Sequence, residues 1–270
     1  MAIQVHDDNL ISALRQHQVT HSEIGKQLAR IASGLRIQET ADDAAGASVA
    51  ERINLQSRGL NVASRNIQDF ASLVQTADAG LSQIQDLAGQ INDLSGRAAN
   101  GTLNAEDRKQ IQTQIDQVTQ EIDRFAESVE FNGQKLLSGA FSGTVQLGAN
   151  APDTLTLILS DARSDALGLA GLDVTTAAGV QTAIGVAQGA VNTVATERAD
   201  IGSTLRRLDS ALNTALASRE SQTAAQARIE DADAALELVE LTLNAVRENA
   251  GLLGTAQGNI NRQNAGRLLE

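Results

Sequence analysis

The chain predicts a mainly α fold: long antiparallel helices packed as a coiled-coil bundle, with one small β-hairpin set into it. Three observations carry this. Of 270 residues only 1% are aromatic, with no Trp or Tyr and one Pro, so Leu, Ile, Val and Ala must fill the core, as in long helices lying side by side. Apolar residues recur at alternating spacings of four and three through most of the chain, which places them on one stripe of a helix. In one short stretch the period changes to two.

Leu10, Leu14, His17, His21, Ile24, Leu28, Ile31 and Leu35 form the first stripe. Ser33-Gly34 ends that helix, because glycine enters the left-handed conformation that C-terminal caps use. A second helix is expected from Thr40, whose hydroxyl can cap it. Asp42 and Asp43 then fall in its first turn, where the helix dipole favours carboxylates. Its stripe runs from Val49 through Ile67, Val74, Leu81 and Ile91 to Ala98, a rod of ~75 Å that needs partners along its length.

Asn100-Gly101-Thr102 breaks the pattern. Asn104 and Asp107 fit the start of a third helix with the stripe Ile111, Ile115, Val118, Ile122, Phe125 and Val129, running back along the second. After Phe131-Asn132-Gly133, Val145 and Leu147, then Leu155, Leu157 and Leu159, alternate with small or polar residues on either side of a GANAPD turn. This predicts a hairpin near residues 140–160. Residues 160–176 show no period and read as ordered loop. From Val180 the stripe returns through Ile201, Leu208 and Leu212, then slips at Ile229, where Ala232 follows after three positions in place of four. A stammer of this kind turns the seam around the helix. The stretch beyond it, Leu236, Val239, Leu243, Val246, Ala250 and Leu253, should therefore pair with the N-terminal stripe, joining both termini in one coiled coil.

The chemistry points to a scaffold. A net charge of -12 disfavours nucleic acid and anionic membranes as partners. No apolar run reaches the ~20 residues a membrane span needs. The start, MAIQVHDDNL, lacks the basic head and apolar core of a cleaved signal, so export would use an uncleaved one. With no Cys there is neither a disulfide framework nor a thiolate metal site. His17 and His21 have ligand spacing but no third ligand nearby, which favours packing or partner contact. Asp42-Asp43 has no nucleophile or His beside it and reads as helix-start charge. Glu230, Asp231 and Asp233 lack the Gly and closing Glu of a calcium loop; inside a helix they read as a solvated or subunit-pairing face. Asn100-Gly101-Thr102 is formally a glycosylation acceptor and equally a helix-ending turn. Neither an enzyme site nor a cofactor motif is expected.

Several stretches, in order and across nearly the whole chain, resemble the signature segments of bacterial flagellin. They are Ala32-Ser33-Gly34-Leu35-Arg36-Ile37, Asp42-Asp43-Ala44-Ala45-Gly46, Gly59-Leu60 with Ala63-Ser64-Arg65-Asn66, Glu121-Ile122-Asp123-Arg124, Phe131-Asn132-Gly133 and Arg228-Ile229-Glu230-Asp231-Ala232-Asp233. The resemblance implies an inner domain of paired terminal helices (1–33 and 235–270), a spoke linker (34–46), and an outer helical core (47–234) carrying the hairpin. It implies polymerisation into an extracellular flagellar filament for swimming. It also implies partners: further copies of the chain, the flagellar export apparatus with an export chaperone, a filament cap protein and hook–filament junction proteins. Residues implied in polymerisation or packing are Leu28, Ile31, Leu35, Asp42, Asp43, Arg124, Arg228, Glu230, Asp231, Leu236, Val239, Leu243, Val246 and Leu253. An innate Toll-like receptor would contact the region of Gln90, Leu94 and Gln114; strongly recognised members of the family carry Arg at the first and Glu at the third, so weak recognition is expected. The large outer domains common in the family are missing between Asp173 and Val180, which makes this a short form, and the C-terminus lacks a common Pro and ends in Glu. The alternative is a hook–filament junction protein, which resembles flagellin at both ends.

Overall fold

The computed structural model describes residues 8–139 and 141–269. Residues 1–7, and the side chains of Leu10, Leu268 and Leu269, lie outside the described residues. The elements follow in the order α1 (Asp8–Ser33), α2 (Ala44–Ala98), α3 (Ala105–Ser128), β1 (Glu130–Phe131), β2 (Gln134–Lys135), β3 (Phe141–Gln146), β4 (Thr154–Leu159), α4 (Ala177–Glu230) and α5 (Ala234–Leu269). The strands form two antiparallel pairs, β1–β2 and β3–β4. The chain divides into two compact units, residues 1–55 with 221–270 and residues 56–220, so both boundaries fall within α2 and α4.

In the unit of residues 56–220, the four-three stripe is the core. Every stripe position of α2 from Leu60 to Ala98 is buried, in one cluster with Ile111, Ile115 and Ile122 of α3 and Val180, Val194, Ile201 and Leu208 of α4 from Ile67 onward. Asn104 caps α3 and, with Asp107, closes a capping box in which each side chain serves the other's backbone amide. In the β3–β4 hairpin, Val145 lies opposite Leu155 and Phe141 opposite Leu159. Leu155, Leu157 and Leu159 enter the core while Ile158 points out, the alternation that a pleated strand imposes. The aperiodic loop that follows is held by side chains from two helices. Asp123 of α3 accepts from the amide and hydroxyl of Ser164, both at 2.8 Å. Gln112 donates to the Leu172 carbonyl at 2.7 Å and accepts from the Val174 amide at 2.8 Å. Glu197 of α4 accepts from the amide and hydroxyl of Ser160.

Three details differ from the sequence expectation. α2 begins at Ala44, capped by Asp43 and not by Thr40: the Asp43 carboxylate accepts from the Gly46 amide at 2.8 Å. Asp42 lies two residues before the helix. Asn132-Gly133 marks more than a change of period. Both residues have positive φ, 49° and 75°, and turn β1 back on β2; this pair of left-handed residues is what a tight hairpin with the right twist needs. Finally, the C-terminal helix does not run through its phase slip. It stops at Glu230 and restarts at Ala234, so Asp231 and Asp233 are outside any helix.

The core predicts opposite outcomes for two glycines of α2. A Cβ on Gly80 would lie 2.7 Å from Leu137 Cδ1 and 3.0 Å from Val129, both buried side chains, whereas a Cβ on Gly89 would meet nothing. Gly80→Ala should cost about 1–2 kcal/mol net, overpacking exceeding the gain in helix propensity. Gly89→Ala should add ~0.5–1 kcal/mol. Urea unfolding midpoints of the two variants, at unchanged slope, check both.

Candidate functional site

Gly34, Leu35 and Arg36 lie against Glu230, Asp231 and Ala232, joining the two linkers that flank the terminal helices. Gly34, at φ 73°, takes the left-handed cap of α1, and its amide bonds the Arg30 carbonyl at 2.8 Å. The chain is then free to pair edge to edge: the Arg36 amide donates to the Glu230 carbonyl at 2.6 Å, the Ala232 amide to the Gly34 carbonyl at 2.9 Å, and Leu35 forms an antiparallel bridge with Asp231. The Arg36 guanidinium adds a bond to the Ile229 carbonyl at 2.8 Å. These bonds use the carbonyls that a helix end leaves without partners. Asp233 then caps α5, accepting from the amides of Ala235 and Leu236.

The Asp-Asp pair completes the joint. Asp42 accepts from the amides of Gln38 and Glu39 at 3.1 and 3.2 Å, and Arg30 lies 3.7 Å from its other oxygen. These two amides, and then the Arg30 and Lys26 charges, hold the Asp42 carboxyl below its ordinary range. Gly46 leaves room for Asp43 and for Ile37, whose Cδ1 would be 2.9 Å from a Cβ there.

α1 and α5 run antiparallel, and their seam is polar at its most buried positions. Thr20, Gln27 and Glu237 are 6%, 4% and 7% exposed. Gln27 bonds Glu240 and Asn244; Arg30 lies 3.6 Å from Glu237; His17 and His21, with stacked rings, both face Glu248. The apolar residues expected to form this seam are outside it. Leu236, Val239, Leu243, Val246 and Leu253 are between 51% and 73% exposed, and Leu14 and Leu28 are also exposed. Among the expected positions Ile24 and Ile31 are half-covered. The expectation failed because it required the chain to bury its own apolar stripe. Here the polar face makes the intrachain contact and the apolar face is left outward.

Other expected residues fall in the second unit. In Glu121-Ile122-Asp123-Arg124, Arg124 pairs with Glu121 one turn back, Ile122 is core and Asp123 anchors the loop at Ser164. Gln90, Leu94 and Gln114 come together on one groove of 490 Å³ between α2 and α3, with Arg97 and Glu121 at its side. Arg228 is exposed. Among the described residues, no group of His, Cys, Asp or Glu could hold a metal ion, and no helix is long and apolar enough to cross a membrane.

A depressed carboxyl contributes stability that is present above its unfolded pKa and is lost as pH falls through the folded one. The joint should therefore loosen on acidification below the ordinary carboxylate range. Asp42→Asn should loosen it at neutral pH and remove most of this acid dependence. Hydrogen exchange of the Gln38 and Glu39 amides as a function of pH is the readout; equal profiles for variant and parent would contradict the assignment.

Residues 8–142 match the family model of the bacterial flagellin N-terminal helical region, and residues 184–269 match that of the bacterial flagellin C-terminal helical region. Flagellin FlaB1 of Treponema pallidum is 34% identical over 275 residues, covering 96% of each chain. The flagellin of Bacillus subtilis is 34% identical over 299 residues, covering 98% of each. The crystal structure of Bacillus cereus flagellin, 34% identical, superimposes with a TM-score of 0.50 over 56% of this chain and 88% of that one. Matched by both family models and by relatives along nearly its whole length, the chain belongs to the bacterial flagellin family.

Proposed function

We propose that this chain is a structural subunit of the bacterial flagellar filament, polymerising with copies of itself, and that the filament drives swimming. The observation that carries this is the outward apolar stripe of α5 and α1. Five large aliphatic side chains on one face of α5 are more than half exposed, an outward apolar row of the kind that marks a protein–protein contact. A helical polymer covers such a stripe at every repeat, because head-to-tail contacts continue without closing. Leu28, Leu35, Leu236, Val239, Leu243, Val246 and Leu253 are assigned to contacts between copies, and Ile31, Asp42, Asp43, Glu230 and Asp231 to the joint that orients them. Arg124 and Arg228, both exposed, are assigned to interfaces as well.

In this reading residues 1–33 and 235–270 form the inner domain, residues 34–46 the spoke and residues 47–234 the outer core. The chain reaches the cell exterior through the flagellar export apparatus, escorted by an export chaperone and without a cleaved signal, and is placed beneath a cap protein on a base of hook–filament junction proteins. No catalytic role is assigned, since caps and ion pairs account for the charged clusters. The junction-protein alternative is not favoured, because the relatives matched across nearly their full length are flagellins.

A carboxylate placed on the stripe tests the reading. Val239→Asp and Leu243→Asp change exposed positions and should alter monomer stability by no more than ~0.5 kcal/mol. Buried between copies, an unpaired carboxylate costs several kcal/mol, which raises the concentration needed for assembly by on the order of a thousandfold. Circular dichroism of the monomer and electron microscopy of seeded growth separate the two effects. Filaments growing at the parent's concentration would overturn the assignment.

The groove at Gln90, Leu94 and Gln114 supports only weak activation of an innate Toll-like receptor. Neutral carboxamides forgo charge-assisted bonds worth ~1.5–3 kcal/mol each. A receptor reporter assay should show a response that rises in the double variant Gln90→Arg with Gln114→Glu. A full response from the parent chain would contradict this.

A further inference from the structure

The chain has two Asn-Gly steps, Asn100-Gly101 and Asn132-Gly133, and the fold explains only one of the glycines. Gly133, at φ 75°, supplies the second left-handed residue of the β1–β2 turn. Gly101 has no positive φ, and a Cβ there would meet nothing within 4 Å. The turn between α2 and α3 would accept another residue at that position. What glycine does give is an unshielded backbone nitrogen next to the Asn100 side chain. That side chain is held in place: its Oδ1 accepts from the Thr102 amide at 3.1 Å and from the Thr102 hydroxyl at 2.9 Å. The ring closed by the first bond runs through both the Gly101 nitrogen and the carboxamide carbon. The two donors also face the oxygen on which negative charge would develop if that carbon were attacked, the arrangement that stabilises an oxyanion.

We propose that Asn100 is a site of spontaneous deamidation, built by the Thr102 donors and the bare Gly101 amide. The Gly101 nitrogen, losing its proton to solvent base, bonds to Cγ of Asn100; the Cγ–Nδ2 bond breaks, and the side-chain nitrogen leaves as ammonia. A succinimide remains. Water then opens it, at Cγ to give aspartate or at the main-chain carbonyl carbon to give isoaspartate. The net change consumes one water, releases one ammonia and places a carboxylate on the groove that Asn100 lines with Arg97 and Leu103. Asn132 is protected by the same geometry that explains its glycine. It sits at φ 49° inside a two-residue turn, and reaching the succinimide means leaving that conformation and breaking the pairs Glu130–Lys135 and Phe131–Gln134.

The test is peptide mapping by mass spectrometry of the soluble, full-length chain incubated in mildly alkaline buffer, with isoaspartyl methyltransferase labelling to detect the rearranged product. Asn100 should convert on the order of tenfold faster than Asn132, a barrier difference of ~1.36 kcal/mol. Thr102→Val should slow Asn100 by about threefold to tenfold, the rate equivalent of one exposed hydrogen bond, while Thr102→Ser, which keeps the hydroxyl, should hold the parent rate. Gly101→Ala should fold normally and suppress the conversion. Equal conversion of Asn100 and Asn132, or a Thr102→Val chain that converts at the parent rate, would overturn the proposal.

Discussion

A stripe of aliphatic side chains left exposed on the terminal helices sets the terms for the terminal unit of this protein. Covering an exposed Leu or Val is worth ~1.5–3 kcal/mol, and α5 alone presents Leu236, Val239, Leu243, Val246 and Leu253. α1 does not cover them, because it meets α5 through Thr20, Gln27, Glu237 and Asn244. Hydrogen bonds of that kind contribute ~1 kcal/mol or less each in net terms and mainly fix register. The intrachain pair is therefore weak and specific, and under the proposed function the stronger driving force falls to contacts between copies. On that proposal one sequence can be both a free subunit and part of a polymer, because the apolar term grows only when other copies arrive.

Such a surface is useful only if it is held in a defined orientation, and the joint does this with main-chain bonds. Gly34, Arg36, Glu230 and Ala232 pair through their backbones, Asp43 and Asp233 cap the helices that leave the joint, and Asp42 gathers the amides of the spacer under Arg30. Side chains there serve backbone groups that helix ends would otherwise leave bare. In the two acidic runs Asp42-Asp43 and Glu230-Asp231-Ala232-Asp233, Asp42, Asp43 and Asp233 are engaged with the main chain of the joint. The carboxylates of Asp42, Asp43 and Asp233 all take backbone amides, and that of Glu230 takes the side-chain amide of Gln226.

The long helices were legible in the sequence because their period is sustained and their core is intrachain: the stripe from Leu60 to Ala98 is buried without exception. The capping box at Asn104 and the inward leucines of β4 were legible for the same local reason. The β1–β2 turn carried its signal openly, since Asn-Gly is the strongest short hairpin cue, but two-residue strands are too short to show a period of two. The phase slip at Ile229 marked a real boundary. It could not show that the helix stops there, because that depends on the carbonyls of Glu230 and Gly34 finding amides from the opposite linker. The terminal seam was misplaced for a deeper reason. Periodicity reports which face is apolar, and under the proposed function that face is left to neighbouring copies.

The central claim is that the outer stripe of the terminal helices is covered only on assembly. Hydrogen exchange read by mass spectrometry on α1 and α5, in the monomer and in the filament under one buffer, tests it most directly. The account predicts rapid exchange across residues 11–33 and 234–258 in the monomer, as expected for a helix pair with few buried apolar contacts, and strong protection of both in the filament. Equal protection in the two states would mean that the pair is already stable alone and that the exposed leucines do not hold the polymer together.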